Sequence, residues 1–199
     1  MTPIQTAEII HFFNRYAPSW DANMVRNEEI LAIILENAGV SAGKSVLDVA
    51  TGTGVLIPDY LARGSASVTA VDISDEMIRI AKSKFHADNL QILCCDVFDL
   101  PKEVQYDCIV VYNAFPHFPD PAALIDHLAC LLKAGGILTV AHGMSRAALG
   151  AHHSGAAKQI SLELLHEDAL AELMSRHLTV TAKISDHRMY QVCGQKQAD

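Results

Sequence analysis

The chain of 199 residues contains no run approaching the roughly 18 consecutive apolar residues that a membrane-spanning helix needs. It is also poor in basic residues: 15 Lys and Arg stand against 23 Asp and Glu, a formal charge of −8, and the cations form no local run. Nucleic acid and anionic membrane surfaces both demand a positive patch, so neither is an expected partner. The opening residues MTPIQTAEIIHFF lack the charged start, long apolar run and small-residue cleavage site of a secretory leader. Five cysteines, Cys94, Cys95, Cys108, Cys130 and Cys193, make an odd number with no C-x-x-C spacing, which argues against a zinc knuckle or a redox motif. Apolar neighbours, as in LQILCC and YDCIVV, predict them as core residues. The vicinal Cys94–Cys95 pair leaves thiol or metalloid chemistry as an alternative. Together these absences describe a reducing, cytoplasmic setting.

Half of the residues are hydrophobic, and the length suits one core. Short β-rich runs recur at 45–50, 67–73, 90–96, 106–112 and 136–142, with helical stretches at 55–64, 75–85 and 121–136 between them. In the last of these, Gly135 and Gly136 read as a helix stop. Strands alternating with helices of this length specify βαβ units and a parallel sheet with right-handed crossovers. Residues 4–38 read as two helices broken around Pro18, residues 144–176 as helical, and 177–186 with 188–196 as a terminal strand pair. The expected fold is therefore α/β, Rossmann-like, with a seven-stranded mostly parallel sheet and helices on both faces. Its expected parts are an N-terminal helical lid (1–40), a ligand-binding core (41–142), and a helical insert with the strand pair (143–199).

The run Val46-Leu47-Asp48-Val49-Ala50-Thr51-Gly52-Thr53-Gly54 follows a strand and opens a helix, the place for a glycine turn that lets a ligand approach the backbone. A dinucleotide fingerprint requires a third glycine where this chain has Ile57, and a turn receiving a pyrophosphate gains nothing from an acid at Asp48. An acid there suits a ligand carrying an ammonium group. A second acid, Asp72, closes the next strand, where a carboxylate can accept both hydroxyls of a ribose. A third, Asp96, follows the strand after that.

VLDVATGTG with these acids resembles the class I S-adenosylmethionine-dependent methyltransferases, most nearly the small enzymes of the ubiquinone and menaquinone biosynthesis type. The resemblance covers about residues 41–142. It implies S-adenosyl-L-methionine as cofactor, with Asp48, Thr51, Gly52 and Gly54 around its methionine part and Ala50 where the family usually has glycine. It further implies Asp72 on the ribose, Ile73 and Met77 flanking the adenine, Asp96 beside Val97 at the adenine amino group, and Asn113 along the cofactor. Tyr16 and Trp20, from a front segment holding four of the twelve aromatics, are expected near the sulfonium, whose charge favours aromatic faces.

For the chemistry, His117 in the loop after the fourth strand is the candidate base, able to take a proton from a hydroxyl, thiol or amine. His142, Arg146 and His153 are candidate substrate contacts: an imidazole-rich rim that would take an anionic substrate through Arg146 or a metal through the histidines, although no H-x-x-x-H spacing supports the metal. The expected activity is methyl transfer to a small-molecule nucleophile by in-line displacement. A nucleotide-dependent oxidoreductase and a non-catalytic S-adenosylmethionine-binding module are the alternatives. The motifs select no oligomeric state.

Overall fold

The computed structural model describes residues 5–152 and 160–198. Within them seven strands form one sheet: β1 (Ser45–Val49), β2 (Ser67–Asp72), β3 (Leu90–Cys94), β4 (Tyr106–Tyr112), β5 (Leu132–His142), β6 (Thr179–Ser185) and β7 (Tyr190–Gln195). Their order is β3-β2-β1-β4-β5-β7-β6. The first five are parallel, and β7 runs antiparallel to both of its neighbours. The strand order reverses between β1 and β4, and a crevice opens at such a reversal, outside the carboxyl ends of the strands.

Period-two alternation assigns each strand residue to one face of the sheet. On one face Leu47, Val49, Ile109, Val111, Leu138 and Val140 pack with helices α5 (Pro121–Cys130) and α7 (Glu167–Met174), through Leu124, Ile125, Leu128, Leu170 and Met174. On the other, Val46, Val68 and Val110 meet α2 (Glu28–Asn37) through Ile30, Leu31, Ile34 and Leu35, and α3 (Ile57–Ala62) through Tyr60. A third cluster joins Ala70 and Ile92 to Ile78 and Ala81 of α4 (Asp75–Lys84). Strands covered on both faces read as continuous apolar runs, and this is why the parallel core was so legible.

Three expectations about individual elements are corrected. Pro18 does not break the front segment: α1 runs unbroken from Thr6 to Trp20 with Pro18 inside it, and α2 follows after residues 21–27. The helix predicted over 121–136 ends at Cys130, and β5 begins at Leu132. Gly135 and Gly136 belong to a bulged stretch of that strand; Gly135 takes φ 75°, and its N–H donates to the Lys196 carbonyl. Close backbone approach also excludes a side chain at Gly136, whose Cβ would lie 3.0 Å from the carbonyl oxygens of Lys133 and Tyr106. Finally, the helical stretch predicted over 144–176 is interrupted: α6 (Arg146–His152) and α7 are helical, whereas residues 161–166 are not.

Burial of the cysteines also departs from expectation. Cys108 and Cys193 are buried, Cys95 is half-buried, and Cys94 and Cys130 are exposed. β3 is the sheet's edge strand, so its carboxyl end has a neighbour on one side only.

Candidate active site

One cavity of about 730 Å³ opens at the carboxyl ends of β1, β2 and β4, within the range of about 300–1,000 Å³ usual for small-molecule sites. Its floor is the turn after β1. Ala50 (φ 56°) and Gly52 (φ 57°) both take left-handed backbone conformations there. Thr51 N–H donates to the Val71 carbonyl at 2.9 Å, and Gly52 N–H donates to Asp72 Oδ2 at 2.8 Å, so the turn is sewn to the end of β2. Ala50, Thr51, Gly52 and Asp72 all line the cavity. The other Asp72 oxygen accepts from Ser74 N–H at 2.9 Å. Burial raises the pKa of this carboxyl, with the backbone N–H donors opposing the shift.

Around this floor the cavity gathers Ile73 and Met77 from the start of α4, Asp96, Val97 and Phe98 after β3, and Asn113 after β4. Asp96 accepts from Phe98 N–H at 3.1 Å and thereby caps the short 3-10 turn over 97–99. Asn113 takes φ 54°, a conformation that asparagine tolerates better than most residues, and its Oδ1 accepts from Gly143 N–H at 3.0 Å. His117 lies in the wall, with Nδ1 at 3.1 Å from both the Ile160 carbonyl and Ser161 Oγ, and its ring meets Phe13 edge-on at 5.0 Å.

The opposite wall is α1. Thr6, Ile9, Phe13, Tyr16 and Trp20 recur at helical spacing and present one face to the cavity. Polar bonds fasten this segment to the carboxyl end of the sheet. Asn14 donates to Asp75 and accepts from Ser74 Oγ, both at 2.6 Å; Asp21 accepts from the Thr53 hydroxyl and from Lys84. Just beyond α1, Arg26 reaches the Val55 carbonyl at 2.6 Å and Asp59 at 2.7 Å.

Most of the residues singled out in the sequence therefore meet at one cavity: Tyr16, Trp20, Ala50, Thr51, Gly52, Asp72, Ile73, Met77, Asp96, Val97, Asn113 and His117. Five others do not. Asp48 is 2% exposed and lies beneath the turn, because β1 alternation sends it to the same face as Val46, against Tyr60 of α3. Gly54 serves packing: a Cβ there would stand 2.8 Å from Ile57 and from the Phe85 ring. His142, the last residue of β5, is fully buried, its ring 6.0 Å from that of Tyr190, the residue it pairs with on β7. Arg146 is committed to the segment ahead of α7, donating to the Leu164 carbonyl and to Glu163, each at 3.0 Å. His153 lies outside the described residues. His142 and Arg146 thus do not join His117 at the cavity, and no cluster of three metal-ligating side chains exists among the described residues.

Arg26, Phe98, Tyr112, Phe118 and Met144 also line the cavity without having been singled out. Phe98 carried one legible signal, an aromatic two residues after the acid Asp96. Arg26 carried none, since its role depends on Asp59 being brought from 33 residues away.

Sheet order, glycine turn and a carboxylate at the end of the second strand define a class: a Rossmann-like domain with a ligand crevice at the reversal of strand order. Residues 46–136, a little under half of the chain, match the methyltransferase domain family, and the matches support a class I S-adenosylmethionine-dependent methyltransferase. A ubiquinone biosynthesis O-methyltransferase of Coxiella burnetii is 41% identical over 101 residues, 48% of this chain and 42% of that enzyme. The match thus spans less than half of that relative's length. Among solved structures, the putative methyltransferase complexed with the Haloferax volcanii Trm112 activator superposes with a TM-score of 0.78 at 20% identity, covering 93% of this chain and 97% of that one. The DhpI complex with S-adenosylhomocysteine gives 0.73 at 20% identity, covering 96% of each chain. These neighbours share the fold.

Proposed function

We propose that this chain transfers the methyl group of S-adenosyl-L-methionine to a small-molecule nucleophile by in-line displacement. The observation that carries the reading is a single cavity in which the β1 turn, the Asp72 carboxylate and an aromatic helix face converge. The donor set fits the cofactor. Asp72 is 8% exposed, and each of its oxygens has one lone pair engaged by backbone N–H and another available to a ribose hydroxyl. Ile73, Met77 and Val97 offer an apolar slot for the adenine, with Asp96 at its edge to accept from the exocyclic amine. Ala50, Thr51 and Gly52 bring bare backbone against the methionine part, and Asn113 flanks it. Tyr16 and Trp20 turn aromatic faces towards the sulfonium.

When bound, the cofactor supplies an electrophilic methyl group on a positive sulfur that leaves as a neutral thioether. The protein's own tasks are then to align the acceptor, exclude water and take up a proton where the acceptor carries one. Alignment alone can account for about 7–11 kcal/mol of barrier reduction. His117 is the residue for proton uptake: in the tautomer whose Nδ1–H donates to the Ile160 carbonyl, Nε2 is the basic nitrogen. Residues 1–40 serve as the lid over residues 41–142, and 143–199 complete the sheet. The partner is a small molecule, and the net charge of −8 disfavours nucleic acid and anionic membranes. No helix among the described residues is long and apolar enough to cross a membrane.

Calorimetric titration with S-adenosylmethionine, S-adenosylhomocysteine and NADH tests the cofactor. Micromolar binding of the first two and none of the third is expected; binding of NADH alone would point to an oxidoreductase. A panel of hydroxyl, thiol and amine acceptors with isotopically labelled methyl donor tests catalysis, and cofactor binding without turnover across that panel would indicate a binding module. In the same assay His117→Ala is expected to lower turnover about 10²–10⁴-fold while cofactor affinity changes little. A variant that folds but loses cofactor binding would refute the role given to His117.

A further inference from the structure

Beneath the β1 turn lies a buried cluster that the proposed chemistry leaves unused. Asp48 Oδ2 accepts from Thr51 Oγ1 at 2.6 Å, and Asp48 Oδ1 accepts from the Tyr60 hydroxyl at 3.1 Å. Neither Asp48 nor Tyr60 lines the cavity, whereas Thr51 does. Tyr60 is fully buried on α3, its ring packed in the cluster of Val46, Leu56, Val68 and Tyr112, so its hydroxyl has little freedom to point elsewhere. Thr51 is the hub of the turn. Its side chain is held by Asp48, its N–H by Val71, and its carbonyl accepts from Gly54 N–H at 2.9 Å.

We propose that Tyr60 is a positioning residue of the cofactor turn, its hydroxyl holding the Asp48 carboxyl against Thr51 so that residues 50–52 keep the shape they present to the cavity. This rests on the cavity being the S-adenosylmethionine site.

The electrostatics give the clamp a pH dependence. The charged groups facing Asp48 are carboxylates, Asp72 at the end of β2 and Asp59 on α3; Arg26 is engaged by Asp59 and Glu28. Tyr60 on α3, with Tyr112 and Cys108 on β4, supplies the remaining titratable groups on this face of the sheet. Burial pushes the Asp48 carboxyl up to about 7, against the two hydroxyl donors that favour its charged form. Only the carboxylate accepts at both oxygens without a proton of its own competing, so the clamp closes on deprotonation. Cofactor affinity should therefore rise with pH through neutrality. Deleting one donor moves the Asp48 titration further up, so the rise should shift to higher pH.

Titration calorimetry with S-adenosylhomocysteine between pH 6 and 8.5, on wild type, Tyr60→Phe and Asp48→Asn, provides the test. Tyr60→Phe should bind about tenfold more weakly at pH 7, with its midpoint about one pH unit higher. Asp48→Asn should show no such midpoint. Circular dichroism establishes that each variant is folded. Should Tyr60→Phe fail to fold, Thr51→Ser and Thr51→Val interrogate the same clamp: serine keeps the wild-type profile and valine shifts it upward. A folded Tyr60→Phe whose pH profile superposes on wild type would overturn the proposal and leave Tyr60 a packing residue. Absence of binding by wild type at every pH would instead overturn the cofactor reading itself, and this proposal with it.

Discussion

Ala50 holds φ 56°, a conformation that costs an L residue roughly 1–2 kcal/mol and a glycine almost nothing. Ala50→Gly should therefore raise stability by about 0.5–1 kcal/mol, less than the full strain because glycine also gains freedom when unfolded. Gly54, two residues past Gly52, behaves oppositely: its added Cβ would press on Ile57 and the Phe85 ring, so Gly54→Ala should lose about 1–3 kcal/mol. Urea denaturation of the two variants reads both signs, and equal effects would contradict the geometry. At Asp72, alanine removes a charged acceptor, and S-adenosylhomocysteine affinity should fall by about 1.5–3 kcal/mol in calorimetry. Unchanged affinity would move the ribose elsewhere. The acid at Asp72 was legible because a strand end followed by a helix cap is a local pattern. Asp48 was equally visible as an acid, but whether it looks into the cavity or under the turn depends on which face of β1 meets α3.

Among the elements, α1 shows the tension between local propensity and tertiary attachment. Pro18 brings no N–H to the turn behind it, and an interior proline costs about 3 kcal/mol in an unsupported helix. The helix persists to Trp20 because Asn14 and Asp21 tie it to Ser74, Asp75, Thr53 and Lys84, partners that lie 32 to 63 residues away in sequence. Only Ile9 and Ala17 of α1 are buried, so it leans on few apolar contacts and should open more readily than the sheet. Replacing Pro18 with alanine should restore one helical bond and slow amide exchange in the preceding turn; exchange rates identical to wild type would mean that the docked helix already compensates for the proline. The same reasoning explains the C-terminal end of α5. A glycine pair after a helical stripe reads as a stop, yet Lys196, 60 residues further on, supplies the backbone partner that makes Gly135 and Gly136 part of a strand.

For the whole molecule, binding at a cavity walled by both the sheet and α1 couples ligand occupancy to global stability. S-adenosylhomocysteine at 100 times its Kd should add about 2.7 kcal/mol, and for a chain of this size raise Tm by about 5–11 °C. Amide exchange in α1 should slow with it, since Tyr16 and Trp20 would then be held from both sides. A rise in Tm without protection of α1 would argue that residues 1–40 are no lid. The sequence by itself determined the strand–helix alternation, the parallel core and the acids at the strand ends, because each of these is written in short-range periodicity and in turn chemistry. Tertiary structure alone decided that His142 is sealed against β7, that Arg146 serves the segment before α7, and that Asp48 lies under the turn with Tyr60. Such roles are fixed by which distant side chain fills the adjoining space, and spacing along the chain does not encode that partner.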